Sequence, residues 1–389
     1  MDLLHSFNPD AAPGEVVVYF ADDPPRLYQL RQWLPVLERL DARHPVLLVT
    51  RHPETYAELS SMTPLRRALA PSFRDLMALY AAGAHKVAIY VNNSVLNFDS
   101  LVSRRMLHIH VNHGESDKLC MVSNQAKAYD WVFVAGEAAV CRHRAALLGF
   151  DEGKLVRIGR PQLDLRPDPA LPGTTRRTIL YAPTWEGEDS SNDYTSIDVY
   201  GPAIVAAALA VPDVRVVYKP HPRVATSCDP GVGAGHREIV RLLTDAARVD
   251  PAAGHRTESA ADILAIFSGC DLMITDVSSV GLDFLYLHTD KPLFITDRGN
   301  NRDSLHANAP VSRCADIVDA GSLATLTAML SRRLTLDEGR VSREGVRSFY
   351  FGDIGPGEST ERFLAAVEET MATRETLLAA STGAGLHVA

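Results

Sequence analysis

The sequence predicts an α/β protein of two doubly wound domains in tandem, facing a cleft. Three observations lead there. Short apolar, β-branched runs alternate with helical stretches through the first half; a stretch rich in Pro, Gly and Thr, Arg166–Thr175, interrupts them without periodicity; and the same alternation then restarts. Repeated short buried strands between helices imply parallel sheets covered on both faces. At 389 residues the chain also exceeds what one hydrophobic core usually supports.

In the first domain, residues 1–165, strands are predicted at Val16–Phe20, Val46–Thr50, Val87–Val91, Met106–Val111 and Trp131–Val134, with helices at Pro25–Leu40, Arg74–Ala82 and Glu137–Leu148. In the second, residues 176–357, strands are predicted at Ile179–Ala182, Val214–Tyr218, Leu272–Thr275 and Leu293–Thr296. Its helices are placed at Ala203–Ala210, Arg237–Ala247, Ala261–Phe267 and Val280–Leu287. The glycine-rich segment Gly231–Gly235 neither follows a strand nor ends in Gly-Lys-Ser/Thr, so it reads as a flexible connection and not as a phosphate loop. Residues 358–389 open with a long amphipathic helix, Glu358–Leu378, for which a return to the first domain is one option; Ser381–Ala389 reads as a frayed tail.

Composition narrows the function classes. Hydrophobic residues make up 46% and charged residues 22%, too apolar for a disordered chain. A net charge of -9 argues against a general binder of nucleic acid or anionic membrane, because both partners need a positive field over much of the surface. No apolar run approaches the roughly 20 residues that span a bilayer. Met1–Asp10 lacks the layout of a secretion signal, so a cytoplasmic location is expected. Cys120, Cys141, Cys228, Cys270 and Cys314 form no CxxC pair and are each expected to be small buried apolar residues.

Four segments carry the chemistry, and each sits at the carboxyl end of a predicted strand, where open α/β folds bind ligands. In Thr275-Asp276-Val277-Ser278-Ser279 a strand turns into a helix start, whose free N–H groups and hydroxyls suit a diphosphate; alternatively Asp276 or Ser278 merely caps the helix. In Lys219-Pro220-His221-Pro222, two prolines hold an imidazole at a strand end, fit for proton transfer or phosphate contact, or else for an ordinary surface turn. In Asn112-His113-Gly114-Glu115-Ser116-Asp117-Lys118, Gly114 is expected to allow a sharp turn beside His113, and Lys118 to neutralise phosphate. His108 and His110, alternating on the strand before it, are assigned to structure. In Ala182-Pro183-Thr184-Trp185, the tryptophan is either core or a wall of the cleft.

Taken in order, these residues resemble the CDP-glycerol glycerophosphotransferases, the teichoic-acid polymerases and primases of bacterial cell walls. The resemblance runs from about His113 to Phe363. An H-G-x-x-x-K motif matches His113, Gly114 and Lys118, and G-x-P-x-x-D matches Gly159, Pro161 and Asp164. L-Y-x-P-T-W matches Leu180, Tyr181, Pro183, Thr184 and Trp185, and an H-P pair matches His221 and Pro222. I-T-D-x-S-S-x-x-x-D matches Ile274, Thr275, Asp276, Ser278, Ser279 and Asp283. A closing signature is similar in Phe349-Tyr350-Phe351-Gly352-Asp353, Gly357 and Ser359-Thr360-Glu361-Arg362.

The resemblance implies the GT-B fold, two Rossmann-like domains facing a cleft. It implies His113 as general base and His221 as a phosphate-contacting or acid partner. Gly114, Lys118, Pro183, Thr184, Trp185, Lys219, Asp276, Ser278, Ser279 and Asp283 would bind substrate. The implied reaction is attack of an acceptor hydroxyl on the phosphorus attached to glycerol, with CMP leaving. The implied partners are CDP-glycerol or a related nucleotide donor and a lipid-linked or polyol-phosphate acceptor, with no nucleic acid; the motifs call for neither metal nor cofactor. Membrane contact at the inner face of the cell membrane is expected from the family, but the acidic composition does not support it. Two other readings stand beside this one: a GT-B glycosyltransferase with another nucleotide-linked donor, and a catalytically silent GT-B scaffold. An oxidoreductase is disfavoured, since no Gly-x-Gly-x-x-Gly follows the first strand.

Overall fold

Every strand pairing in the structure is parallel, in two separate sheets. The computed structural model describes residues 14–118, 121–165, 167–187 and 192–383. The described residues of Met1–Gly114, Val122–Leu165 and Phe351–Ala389 form one compact unit, and those of Glu115–Met121 and Arg166–Tyr350 form another.

The first unit holds seven strands: β1 (Val16–Phe20), β2 (Val46–Thr50), β3 (Arg66–Leu69), β4 (Val87–Tyr90), β5 (Leu107–His110), β6 (Trp131–Val134) and β7 (Leu155–Arg157), in the order β3-β2-β1-β4-β5-β6-β7. All five residues of β1 are fully buried, as the centre of a sheet covered on both faces requires. Val16, Val18 and Phe20 pack on one side with Leu48, Ile89, Phe133 and Phe363. Val17 and Tyr19 pack on the other with Val49, Tyr90 and Val132.

The second unit holds six strands: β8 (Arg177–Ala182), β9 (Val214–Tyr218), β10 (Arg256–Thr257), β11 (Leu272–Thr275), β12 (Leu293–Thr296) and β13 (Asp316–Val318), in the order β10-β9-β8-β11-β12-β13. Ile179, Tyr181, Val216, Tyr218, Ile274 and Phe294 form the centre of its core with Ile204 and Ile239 from the covering helices.

The closing helix, Glu358–Gly383, belongs to the first unit and buries Phe363, Leu364 and Val367 there, with the Phe363 ring 5.2 Å from that of Trp33. Its entry is held by the Gly159–Asp164 motif. One Asp164 carboxylate oxygen accepts the Thr360 N–H at 2.7 Å and its hydroxyl at 2.9 Å, and the other accepts the Gly357 N–H at 3.2 Å. A carboxylate at a helix start satisfies orphan donors and complements the dipole. Gly159 adopts φ 74°, and a Cβ there would lie 2.1 Å from the Ser359 Oγ, which accepts the Arg160 N–H at 3.0 Å. Asp164 and Thr360, 196 residues apart in sequence, are thus the two sides of one helix cap.

Three expectations are corrected. Pro25–Leu40 is not one helix: a 3₁₀ turn at Pro24–Arg26 and a short helix at Tyr28–Arg31 precede the helix Leu34–Asp41, whose first turn contains Pro35. Gly231–Gly235 is not a loose connection but the start of the helix Pro230–Val249, capped by Asp229, which accepts the Val232 N–H at 2.9 Å. Glycine is needed there because a Cβ at Gly235 would lie 2.3 Å from the Ile197 carbonyl oxygen. Among the cysteines, Cys270 and Cys314 are buried, but Cys228 is exposed in the turn before that helix and Cys141 is only partly covered. Cys120, Met1–Asp10 and the last residues of the tail lie outside the described residues. Among the described residues no helix is long and apolar enough to cross a membrane.

Replacing Asp164 by alanine removes the acceptor for two backbone N–H groups and is expected to cost the first unit about 2 kcal/mol. Urea unfolding should show a lowered midpoint; an unchanged midpoint contradicts the cap.

Candidate functional site

In the first unit the chemistry begins where β5 ends. His108 and His110 are structural, as expected. His108 Nδ1 lies 2.8 Å from the Tyr90 hydroxyl and its Nε2 3.0 Å from the Ser103 carbonyl, while the His110 ring sits 5.0 Å from that of Tyr129. Burial lowers the pKa of both, that of His110 to about 3. After the strand, Asn112 takes the left-handed conformation, φ 55°, which asparagine tolerates better than most residues. Its carbonyl accepts the Trp33 indole N–H at 2.8 Å and its side-chain oxygen accepts the His113 N–H at 2.8 Å. The sequence pointed to Gly114 for this turn; the left-handed residue lies two positions earlier, locked by Trp33 from the turn before the helix Leu34–Asp41.

His113 is thereby held in place. The Tyr28 ring meets its imidazole edge-on at 6.0 Å and 89°, and Arg160 donates to its carbonyl at 3.4 Å. Burial first, and then the Arg160 charge, lower its pKa to about 4. Its Nδ1 is buried without a hydrogen-bond partner. At neutral pH the ring is therefore uncharged and able to accept a proton.

The remaining candidates lie in the second unit. Lys118 donates to the Thr184 hydroxyl at 3.1 Å and sits 5.6 Å from the centre of the Tyr194 ring. The segment carrying it is fixed by Asp117, which accepts a short hydrogen bond from the Tyr350 hydroxyl; that hydroxyl in turn accepts the Val311 N–H at 2.9 Å. Burial raises the Asp117 pKa to about 6. Beyond β8, Pro183 and Thr184 lead to Trp185, whose ring carries the Arg223 guanidinium 4.2 Å from its centre and stacks with His221 at 6.1 Å and 26°. Trp185 is thus partly core, packed on the second-unit cluster, and partly a support for His221.

His221 caps the 3₁₀ turn Pro222–Thr226, its Nδ1 accepting the Arg223 N–H at 3.2 Å. An accepting Nδ1 puts the proton of the neutral ring on Nε2. Lys219, two residues earlier, is engaged elsewhere: it is buried, donates to the Ser259 carbonyl at 2.8 Å, and has its pKa lowered by burial. It ties down the loop that follows β10.

The helix start after β11 separates into two kinds of residue. Asp276 has no exposed surface; it accepts the Thr184 N–H at 2.7 Å, the Ser196 N–H at 3.2 Å and the Thr296 hydroxyl at 2.6 Å. Burial raises its pKa to about 6. Asp283 is likewise buried, in the second turn of the helix Ser279–Leu287. Both aspartates face the interior. Ser278, also buried at 8% exposure, stands at the N-cap in extended conformation with no side-chain capping bond, and Ser279, the first helical residue, is half-buried. Free first-turn N–H groups at a helix start are the kind of donor an anion can use.

Sequence reasoning missed Tyr28, Asn112, Arg160, Tyr194, Arg223 and Tyr350 as parts of these arrangements. Asn112, Arg160 and Tyr350 lay inside segments already in view; the others had no local signal. Among the described residues no three His, Cys, Asp or Glu side chains gather as a metal centre.

The buried histidines set an acid limit. His110 and His113 bind protons with pKa about 3 and about 4 when folded, against 6.5 in the unfolded chain. The unfolded chain therefore binds more protons between those values, so stability is full above 6.5 and falls as pH drops toward 4. The slope is up to about 1.4 kcal/mol per pH unit for each histidine. Urea midpoints of the first unit at pH 7 and pH 5 should show the loss, and His110→Asn should reduce it; equal midpoints contradict the burial of neutral rings.

Comparison with known proteins adds a likeness to one family over part of the chain. Residues 110–298 match the profile described as CDP-glycerol:poly(glycerophosphate) glycerophosphotransferase. No curated protein matches. Among solved structures, the chain is similar to the wall teichoic acid polymerase TagF, at 14% identity and TM-score 0.57, over 94% of this chain and 92% of that one. It is also similar to UDP-GlcNAc 2-epimerase from Methanocaldococcus jannaschii, at 12% and 0.55, over 91% and 99% of the two chains. A glycosyltransferase from Rickettsia africae ESF-5 aligns at 11% and 0.55, over 92% and 98%. At these identities the structural likeness speaks to the fold, which is of the GT-B class, and the sequence match speaks to the family. Residues 110–298 are thus similar to the CDP-glycerol:poly(glycerophosphate) glycerophosphotransferases, and the fold is of the GT-B class.

Proposed function

We propose that the protein transfers glycerol phosphate from CDP-glycerol to a hydroxyl acceptor in the synthesis of a teichoic-acid-type polymer, releasing CMP. The observation that carries this reading is the state of His113, a neutral imidazole on a locked turn at the carboxyl end of β5, inside the segment that matches the family. In the proposed step His113 takes the proton of the acceptor hydroxyl as its oxygen bonds to the phosphorus attached to glycerol. The bond from that phosphorus to the bridging oxygen breaks, and the electron pair leaves with CMP. His221, with its proton on Nε2, donates a hydrogen bond to a donor phosphate. Ser278, Ser279 and the helix N–H groups hold the diphosphate, and Lys118 offsets its charge. Asp276, Asp283 and Lys219 hold the loops that present these groups. Positioning and charge stabilisation supply most of the acceleration, as in other phosphoryl transfers.

The acceptor in this reading is a lipid-linked or polyol-phosphate chain. A lipid-linked one would bring the protein to the inner face of the cell membrane as a peripheral protein. A second reading, a GT-B enzyme with another nucleotide-linked donor, draws on the likeness to a glycosyltransferase and to an epimerase named for UDP-GlcNAc. A helix start reads the anhydride and not the group attached to it, so it serves either donor.

The test is CMP release from CDP-glycerol in the presence of a glycerol-phosphate or lipid-linked acceptor. His113→Asn is expected to lower kcat by about 10²-fold or more while the donor Kd changes little, since loss of a general base acts on the chemical step. No CMP from the wild-type protein with either acceptor, or an unimpaired His113→Asn variant, would overturn the proposal.

A further inference from the structure

We propose a second ligand site, for phosphate or a small phosphomonoester, at the amino edge of the second unit's sheet. It lies at the end of the strands opposite to the one that carries His221 and Ser278. There the chain before β8, the start of β9 and the turn before β10 enclose a cavity of about 260 Å³, lined among others by Gly173, Thr174, Arg215, Gly254, His255 and Arg256.

The charge in this cavity is one-sided. Arg215 is only 4% exposed. Its guanidinium donates to three neutral oxygens: Thr178 Oγ1 at 3.0 Å, the Pro172 carbonyl at 2.6 Å and the Gly269 carbonyl at 3.2 Å. These bonds fix its plane and leave its charge uncompensated, with two of its five N–H groups still to place. The carboxylate that it senses, Asp271, is committed to Arg177 at 2.8 Å and to the Thr178 N–H at 2.8 Å. Burial accordingly lowers the Arg215 pKa, and the nearby Arg256 charge lowers it further.

Arg256 makes no side-chain hydrogen bond or ion pair among the described residues, although it lines the cavity beside a buried cation of like charge. His255 accepts the Val216 N–H on Nδ1 at 3.0 Å, which puts the proton of the neutral ring on Nε2 as a donor. The charges nearest to His255, Asp250 and Arg176, pair with each other at 2.7 Å. The turn at Gly254 is left-handed, φ 71°; a Cβ built there would touch only the Arg215 side chain, at 3.5 Å, and one built at Gly173 would meet nothing within 4 Å.

Two guanidinium groups and an imidazole donor around one concavity suit a compact oxyanion with several acceptor atoms. The volume lies below the roughly 300–1,000 Å³ of pockets for drug-sized ligands, which favours a small anion over a nucleotide. The site does not depend on the reaction proposed above.

The test is calorimetric titration of the full chain with inorganic phosphate, and separately with glycerol 3-phosphate, at constant ionic strength in chloride. Saturable binding is expected. Arg256→Gln should weaken it about tenfold or more, the effect of one lost charge-assisted hydrogen bond, and Arg256→Lys should retain most of it. Because Arg256 has no partner to lose, the Gln variant should unfold at the wild-type urea midpoint and release CMP at the wild-type rate. Tighter binding of glycerol 3-phosphate than of phosphate identifies a phosphomonoester as the ligand, and equal binding identifies free phosphate. Absence of saturable binding, or an Arg256→Gln isotherm matching the wild type, overturns the proposal.

Discussion

Asp276 is a carboxylate without exposed surface, and three separate segments of the second unit hang on it. It takes the N–H of Thr184 after β8, the N–H of Ser196 twelve residues on, and the hydroxyl of Thr296 at the end of β12. Ser196 is held a second time through Tyr181, whose hydroxyl lies 2.7 Å from its own, and Arg298 grips the neighbouring Thr195 carbonyl at 2.8 Å. Such a buried carboxylate persists only because each oxygen has donors, and removing them would leave an uncompensated polar group in the interior. The positions of Thr184, of Trp185 beyond it, and of Ser278 two residues after Asp276 follow from this one knot. Asparagine in its place would keep the shape but offer an amide where the loops need a second acceptor.

The parallel topology explains why the family's motifs fall where they do. In a parallel sheet every strand ends at the same edge, so loops from distant parts of the sequence gather there without further design. The motifs then divide by physical role. Asp276, Asp283, Asp164, Gly159 and Tyr350 are buried or capping, and they shape the turns and helix starts. His113, Lys118, His221, Ser278 and Ser279 follow strand ends or stand at a helix start, and they are the residues to which the proposed function gives chemical roles. An ordered motif in sequence is therefore a mixture of scaffold and chemistry, and only the hydrogen-bond partners separate the two.

Much of this was legible from the residues alone, and the gaps share physical causes. The nine strands read from sequence are the inner ones, most of whose residues are apolar and buried, as strands covered on both faces require. The four that escaped notice, β3, β7, β10 and β13, are the edge strands of the two sheets. Edge strands carry polar side chains such as Arg66, Arg67, Arg157, Arg256 and Asp316, and so lack the apolar signal. The helix over Gly231–Gly235 was hidden because Gly235 serves close packing against Ile197 and not local flexibility. The turn at His113 was misplaced by two residues because Asn112 is held by Trp33, 79 positions away. Pairings such as Asp164 with Thr360, or Asp117 with Tyr350, join motifs that sequence presents as separate signatures.

In the proposed function the helix start at Ser278-Ser279 holds the diphosphate of a cytidine-linked donor. Equilibrium titration of CDP-glycerol against the wild-type chain and against a variant with both serines replaced by alanine tests it most directly. Saturable binding to the wild type is expected, weakened about tenfold or more in the variant while the unfolding midpoint stays unchanged, as loss of two hydroxyl contacts to an anion requires. Equal affinity in the two proteins, or no affinity in either, would contradict it.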